Sequence, residues 1–397
     1  MKENSRAFLL LFMGVLTAFG PFVTDMYLPT LPSMTEYFST GMSQVQLGLT
    51  FSMLGLALGQ LGFGPLSDKI GRRHPLLISM AVFVVSTLAC IFAPNIEFFL
   101  GMRFLQGIAG AGGIVIARSI AADKFSGRDL AKALAIVGAI NGVAPVAAPI
   151  IGGVCCDFIG WRGIFAILLV LGLIIGLMCF FYKETLEESR RSKEKWSSVL
   201  KMFSTVIKKK RFISYVLQMA AAQGILFGNI ASSPFLIQNL HHKSALVFSL
   251  YFAVNSIAIA MGAAMSAKFE KQEKCISYSC VGMLFGAVAC ALALNLGASL
   301  IIYEIIVTAL CFAMGMTFTA ATALAMNEVR DNAGAGSAIF GALGFIVGGL
   351  VSPLVGLGEI THSVSIVFIA AALISTLFAW LAKRATDSAL LKTKVAA

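Results

Sequence analysis

The 397 residues predict an all-α membrane protein of twelve transmembrane helices, and three observations lead there. Hydrophobic residues make up 58% of the chain and charged residues only 12%, against about 25% charged in a soluble domain. The apolar residues run on for about 20 positions at a time, the length of a helix that crosses the hydrocarbon core. They do not alternate with period two, so the runs read as helices and not as barrel strands. Mean hydropathy is accordingly high, at +0.88.

In chain order the runs are 7–31, 45–66, 75–94, 97–121, 131–156, 161–182, 212–236, 245–267, 275–295, 299–325, 334–357 and 362–382. The start, "MKENSRAFLLLFMGVLTAFG", has the basic opening of a signal peptide. Its apolar stretch continues past the usual length of about 7–15 residues, so it reads as an uncleaved first span. After the sixth span comes the longest hydrophilic segment, Lys183–Arg211, "KETLEESRRSKEKWSSVLKMFSTVIKKKR". It separates an N-terminal six-helix half, 1–183, from a C-terminal half, 212–397. The linker, 184–211, is too short to hold a core and reads in part as an amphipathic helix on the membrane surface.

The halves carry traces of duplication. Pro29 and Pro234 are 205 positions apart (234 − 29), and Pro149 and Pro353 are 204 apart (353 − 149). Each pair falls in corresponding spans, 1 with 7 and 5 with 11. Two pseudo-symmetric six-helix bundles follow, a repeat plan that transporters use.

Net charge is +11, yet the cations lie in loops between apolar runs, which points to membrane orientation and away from nucleic acid. With the N-terminus in the cytoplasm, the inner segments hold 26 of the 30 Lys and Arg, and the outer loops hold only Arg162 and Lys243. Both termini are therefore expected inside. The eight cysteines lie mostly within apolar runs and form no C-x-x-C pair. They read as small hydrophobes, the adjacent Cys155 and Cys156 included, with no disulfide framework or metal site.

Four stretches carry mechanism. Between spans 2 and 3 stands Gly64-Pro65-Leu66-Ser67-Asp68-Lys69-Ile70-Gly71-Arg72-Arg73. Gly64 allows close helix approach and Gly71 a tight reversal. Asp68 can cap a helix end or pair with a cation, and Arg72 and Arg73 hold the loop inside. Over all ten residues it resembles the signature G-x-x-x-D-[RK]-x-G-[RK]-[RK] of the major facilitator superfamily. That resemblance implies a latch of Asp68 with the two arginines on the cytoplasmic side, which stabilises one access state.

Span 4 buries Arg103 about six residues from its outer end, within "RFLQGIAGAGGIVIARSIAAD". An arginine there is costly to insert and so is a functional candidate, unless it only bonds backbone carbonyls. Arg103–Gln106–Gly107 resembles the superfamily's R-x-x-Q-G, where the arginine is implicated in proton coupling. Span 5 ends Ala148-Pro149-Ile150-Ile151-Gly152-Gly153. Small residues there let helices pack closely, and Pro149 bends the chain. The ending resembles the antiporter motif G-P-x-x-G-G, with Ala148 in place of the first glycine, and marks Pro149, Gly152 and Gly153.

Span 1 holds Asp25 as its one carboxyl side chain, in "FGPFVTDMYLPTLP". Apolar surroundings disfavour the ionised carboxylate, and a nearby cation favours it. Capping of the half-helix broken at Pro29 is the structural alternative. From Thr24 to Pro32 the stretch looks like span 1 of the bicyclomycin/chloramphenicol-resistance (Bcr/CflA) branch of drug:proton antiporters. Some related exporters carry a second acid two turns earlier, where this chain has Thr17. The resemblance implies that spans 1, 4, 7 and 10 line a central cavity and bring Asp25 and Arg103 face to face. Phe22, Met26 and Tyr27, one-turn neighbours of Asp25, and Asn229 of span 7 are the expected substrate contacts. Glu304, near the outer end of span 10, reads as an interfacial glutamate.

Together these imply proton-coupled efflux of small apolar or amphipathic compounds from a bacterial inner membrane, by a monomer. Asp25 would carry the proton and Arg103 would tune it. The partners are substrate, protons and the lipid bilayer. No cofactor is implied, and the proton gradient supplies the energy. A dedicated exporter of one native metabolite, a siderophore or an amino acid, fits the same residues. An intramembrane enzyme does not: the four histidines, His74, His241, His242 and His362, lie in loops or at span ends. No G-x-x-x-x-G-K-[ST] loop for direct ATP coupling occurs.

Overall fold

The computed structural model describes residues 4–193 and 196–395. Glu194 and Lys195 of the predicted linker lie outside the described residues, as do 1–3 and 396–397. Thirteen α-helices are described: α1 Arg6–Asp25, α2 Leu31–Tyr37, α3 Met42–Ile70, α4 Arg73–Ile91, α5 Ile96–Lys124, α6 Gly127–Phe181, α7 Trp196–Ile207, α8 Lys210–Phe235, α9 Ala245–Ser266, α10 Gln272–Asn295, α11 Leu300–Glu328, α12 Ala333–Val351 and α13 Ile360–Val395. No strand occurs among the described residues. By length and composition, eleven segments among the described residues can cross a membrane. One of them, within α6, runs through two of the predicted spans and breaks at Gly160 (φ 62°, ψ −175°). That conformation suits glycine, and it separates 131–156 from 161–182.

Prolines shape the first helix of each half. Regular α1 stops at Asp25, a 3₁₀ turn follows at Leu28–Thr30 with Pro29 inside it, and α2 continues the path. Proline supplies no N–H to a helical ladder, so the ladder is interrupted there. In α8 the corresponding Pro234 is followed by a single π-type turn, Leu236–Leu240.

By contacts the chain falls into two compact units, Met1–Glu194 with Ile237–Ala253, and Lys195–Leu236 with Val254–Ala397. Ile237–Ala253, at the end of the seventh span and the start of the eighth, thus packs with the first unit. Gln238 Nε2 donates to the Pro29 carbonyl at 3.0 Å.

Inside the first unit α5 packs against α1, α3 and α4, and α6 packs against α1 and α4. Phe12, Phe19 and Phe83 are buried in its core, with Phe19 and Phe83 edge to face at 4.4 Å. Inside the second unit α11 packs against α8 and α10, and α13 packs against α8 and α10. Backbone contact repeats as well. A Cβ at Gly55 would strike the Phe104 carbonyl, and one at Gly107 the Ser52 carbonyl. In the second unit Gly262 meets the Phe312 carbonyl and Gly315 the Ile259 carbonyl in the same way. Small residues are what allow such helix approach in a lipid environment. Outward-facing aromatics such as Phe92, Phe158 and Phe285, each at least 72% exposed, are at home against acyl chains.

One stretch differs from expectation. Gly64–Ile70 is not loop but the last turns of α3, and only Gly71 and Arg72 separate α3 from α4. Ser67 Oγ–H donates to the Gly64 carbonyl at 2.9 Å within this extension, and Gly71, at φ 93°, ends it. Gly64 itself is loosely packed, since a Cβ there would reach only Val115 at 3.5 Å.

Candidate functional site

Asp25 is the last residue of α1 and is 7% exposed. Met26 and Tyr27 beyond it are fully buried, and Phe22 is half-buried. The break in α1 leaves room on one side, and α6 fills it. A Cβ at Gly152 would run into the Met26 carbonyl oxygen and come to 3.4 Å from Pro29 Cγ. Glycine is therefore needed for α6 to lie against the bend that carries Asp25. The neighbouring motif residues face α9: Ser249 Oγ–H donates to the Pro149 carbonyl at 2.6 Å, and a Cβ at Gly153 would clash with Ser249 Oγ and approach the Ala245 carbonyl at 2.9 Å.

Arg103 of α5 is completely buried. Its Nη1–H donates to the Val23 carbonyl at 3.2 Å, one turn before the α1 break, and to Gln106 Oε1. Gln106 Nε2–H donates onward to Thr87 Oγ1 of α4 at 2.7 Å. The guanidinium lies 4.4 Å from the Tyr27 ring centroid and 5.6 Å from that of Phe165. Aromatic faces stabilise a desolvated cation by about 2 kcal/mol. No ion pair joins Arg103 to Asp25 among the described residues. They belong to one cluster, and Asp25 feels the Arg103 charge through space. Arg103 Nε and Nη2 and the Tyr27 hydroxyl are buried with no hydrogen-bond partner. The cluster thus holds a cation, a carboxyl and spare donors close to a helix break.

At the other end of α5 the signature residues form a second cluster. Arg72, with 7% of its side chain exposed, grips Asp123 through Nε at 2.8 Å and Nη2 at 3.2 Å. Its Nη1 donates to Ser67 Oγ at 2.9 Å and to Asp68. Burial works against the Arg72 charge, and the bonds to Asp123 and Asp68 outweigh it, holding the guanidinium above its ordinary pKa. Arg73 turns outward, donating to the Phe180 carbonyl at 2.8 Å. Glu184 closes the cluster: its carboxylate accepts the backbone N–H groups of Arg72, Arg73, Thr185 and Leu186 at 2.9–3.0 Å. Two of these belong to the start of α4, where an anion is favoured. The carboxylate stands where a Cβ on Gly71 would have to go.

Two of these partners, Asp123 and Glu184, escaped the sequence analysis. Asp123 closes "ARSIAAD" at the inner end of span 4, and Glu184 is the first acid after span 6. Their position beside an arginine-rich loop was the available signal.

In the second unit Asn229 of α8 is 4% exposed, and its Oδ1 accepts from Ser233 Oγ at 2.9 Å. Glu304, read from the sequence as interfacial, is 3% exposed, because the α11 face that holds Tyr303, Glu304 and Val307 turns into the unit. Its Oε2 accepts from Asn255 Nδ2 of α9 at 3.1 Å, and Asn255 Oδ1 accepts from Thr308 Oγ1 at 2.8 Å. All eight cysteines are free, and the described residues contain no cluster suited to a metal ion.

The sequence model of the Major Facilitator Superfamily matches residues 10–353. A Bacillus subtilis (strain 168) protein named "Uncharacterized MFS-type transporter YdgK" is 34% identical over 371 residues, covering 90% of each chain. A "Bicyclomycin resistance protein homolog" of Haemophilus influenzae is 27% identical over 269 residues, 68% of each chain. Among solved structures, a bacterial homolog of the human lysosomal transporter Spinster, in an inward-facing and unoccupied conformation, superposes with a TM-score of 0.78 at 18% identity. That match covers 96% of this chain and 98% of the other.

Proposed function

The chain belongs to the Major Facilitator Superfamily, a family of multi-pass transporters and not enzymes, and on that premise we propose that it exports small apolar or amphipathic compounds in exchange for protons, by alternating access. One observation carries the proposal. Asp25 is a nearly buried carboxyl at the break of α1, beside a guanidinium that does not pair with it. Apolar surroundings favour the neutral acid and the cation favours the anion. A substrate or water entering beside Asp25 shifts that balance, which is what exchange of a proton for a substrate requires.

Arg103 has the supporting role. Tethered to Val23, Gln106 and the Tyr27 ring, it holds a positive charge at a fixed place in the cluster. Phe22, Met26, Tyr27 and Asn229 are the proposed substrate contacts. Arg72, with Asp68 and Asp123, is the proposed cytoplasmic latch. The antiporter-like ending at Pro149–Gly153 supports exchange, and the name of the Haemophilus relative supports the Bcr/CflA branch and a drug-type substrate. The proposal includes a bacterial inner-membrane location, both termini in the cytoplasm, a monomer, and halves 1–183 and 212–397 joined by 184–211.

The test is uptake of bicyclomycin and chloramphenicol into inverted vesicles under an imposed pH gradient. We expect accumulation that collapses when a proton ionophore is added. Accumulation indifferent to the ionophore would refute proton coupling.

A further inference from the structure

The second unit contains a carboxyl that the proposed mechanism does not use. Glu304 lies on the buried face of α11, 3% exposed, with one oxygen bonded to Asn255 and the other, Oε1, buried with no hydrogen-bond partner. Asn255 cannot neutralise it, since it is itself neutral and its own oxygen is taken by Thr308. Among the described residues no Lys, Arg or His pairs with Glu304. The titratable groups around it are Tyr303 of α11, Cys290 of α10 and Cys311 of α11, all buried. None supplies a positive charge. The helix N-terminus favours an anion only within its first turn, which in α11 ends at Tyr303.

A carboxylate in such a place would leave a buried charged oxygen with no donor or cation bonded to it among the described residues. The usual resolution is to take up a proton, because isolated buried charges are far costlier than buried neutral acids. Intramembrane acids facing a protein interior are, besides, a recurring feature of proton relays. We infer that Glu304 is a second proton-binding site, separate from Asp25, which holds its proton in the conformation described. Protonated, it keeps the Asn255 bond through Oε2 and carries no charge. Hydration of the Asn255–Thr308 side is what releases the proton. Glu304 belongs to the second unit and Asp25 to the first, and the two proposals are tested separately.

Infrared spectroscopy on the purified full-length protein tests this without any substrate. The chain is produced with ¹³C-glutamate and, separately, unlabelled. We expect a protonated-carboxyl band at pH 7 that moves with glutamate labelling. Unlike Glu304, Glu184 is bonded by backbone N–H groups and Glu328 by Arg211 at 3.0 Å. In Glu304→Gln, provided the protein remains monodisperse, the band disappears; in Asp25→Asn it remains. A glutamate-sensitive band that is absent at pH 7, or one that persists unchanged in Glu304→Gln, overturns the inference. Should Glu304→Gln fail to fold, the labelled parent chain decides alone. Asp25 is an aspartate and does not move with this label, so failure here leaves the Asp25 proposal standing, and the reverse also holds.

Discussion

The two units each bury one acid beside one tyrosine, and they treat it differently. In the first, Asp25 sits where α1 breaks, next to Tyr27, and shares its cluster with Arg103. In the second, Glu304 sits within an unbroken helix, next to Tyr303, bonded to the neutral Asn255, which Thr308 bonds in turn. Both tyrosine hydroxyls are buried without partners. The difference teaches what a local cation does. Beside Arg103 a carboxyl has a reason to ionise, so small changes in its surroundings decide the proton's fate. On the two proposals above, the first acid would respond to substrate and the second to hydration.

The largest expected effect tests that division directly. Asp25→Asn should reduce gradient-driven efflux to the level of cells lacking the protein, with expression unchanged on an immunoblot, whereas Glu304→Gln should keep measurable efflux. Equal loss in both variants would erase the distinction between the regions. Next comes Arg103. Truncation to alanine strips the Val23 carbonyl and Gln106 of their donor and uncovers the Tyr27 ring, so thermal unfolding in detergent should report a loss of about 2–3 kcal/mol. Arg103→Lys keeps the charge without the planar fork and should retain more transport than Arg103→Ala; equal transport in both and in the parent would remove the role assigned to it.

Gly152→Ala acts on the Asp25 region from behind. Forcing a methyl against the Met26 carbonyl should cost about 1–3 kcal/mol, while Gly64→Ala, facing open contact, should melt like the parent. A harmless Gly152→Ala would mean that the bend can give way. The smallest effect belongs to Arg72→Lys. It gives up the two-pronged grip on Asp123 for a single contact, at about 1 kcal/mol. We expect faster tryptic cleavage at Arg190 and Arg191, since Ser192 N–H donates to the Asp68 carbonyl at 2.8 Å and the linker start rests on that cluster.

Spans, their order and the duplicated plan were legible because crossing a bilayer demands long apolar runs and tolerates few charges between them. The burial of Asp25 and Arg103 was legible for the same reason, each standing out in an apolar span. What stayed hidden was orientation around the helix axis. The α11 sequence "LIIYEIIVTALCFAMGMTFTAATALAMNE" is apolar on every side, so periodicity has no polar face from which to locate Glu304. Long-range partners were hidden too. The contacts of Arg72 with Asp123 and of Gly71 with Glu184 join residues about 50 and 110 positions apart, and a single sequence does not record such closures. The extension of α3 through Gly64–Ile70 was missed because its charged residues look like a loop, although a helix that leaves the bilayer can continue in water.

Gly152 has a consequence for heredity. It carries no ionisable group, yet every amino-acid substitution there adds atoms on top of the Met26 carbonyl beside Asp25. A mutagenesis screen for loss of efflux should therefore return alleles at 152 as readily as at 25. The two classes should part in a search for suppressors. Lesions at 152 leave the Asp25 carboxyl in place and can be relieved where the Met26 carbonyl is let move aside, whereas a missing carboxyl at 25 has no remedy elsewhere in the bend.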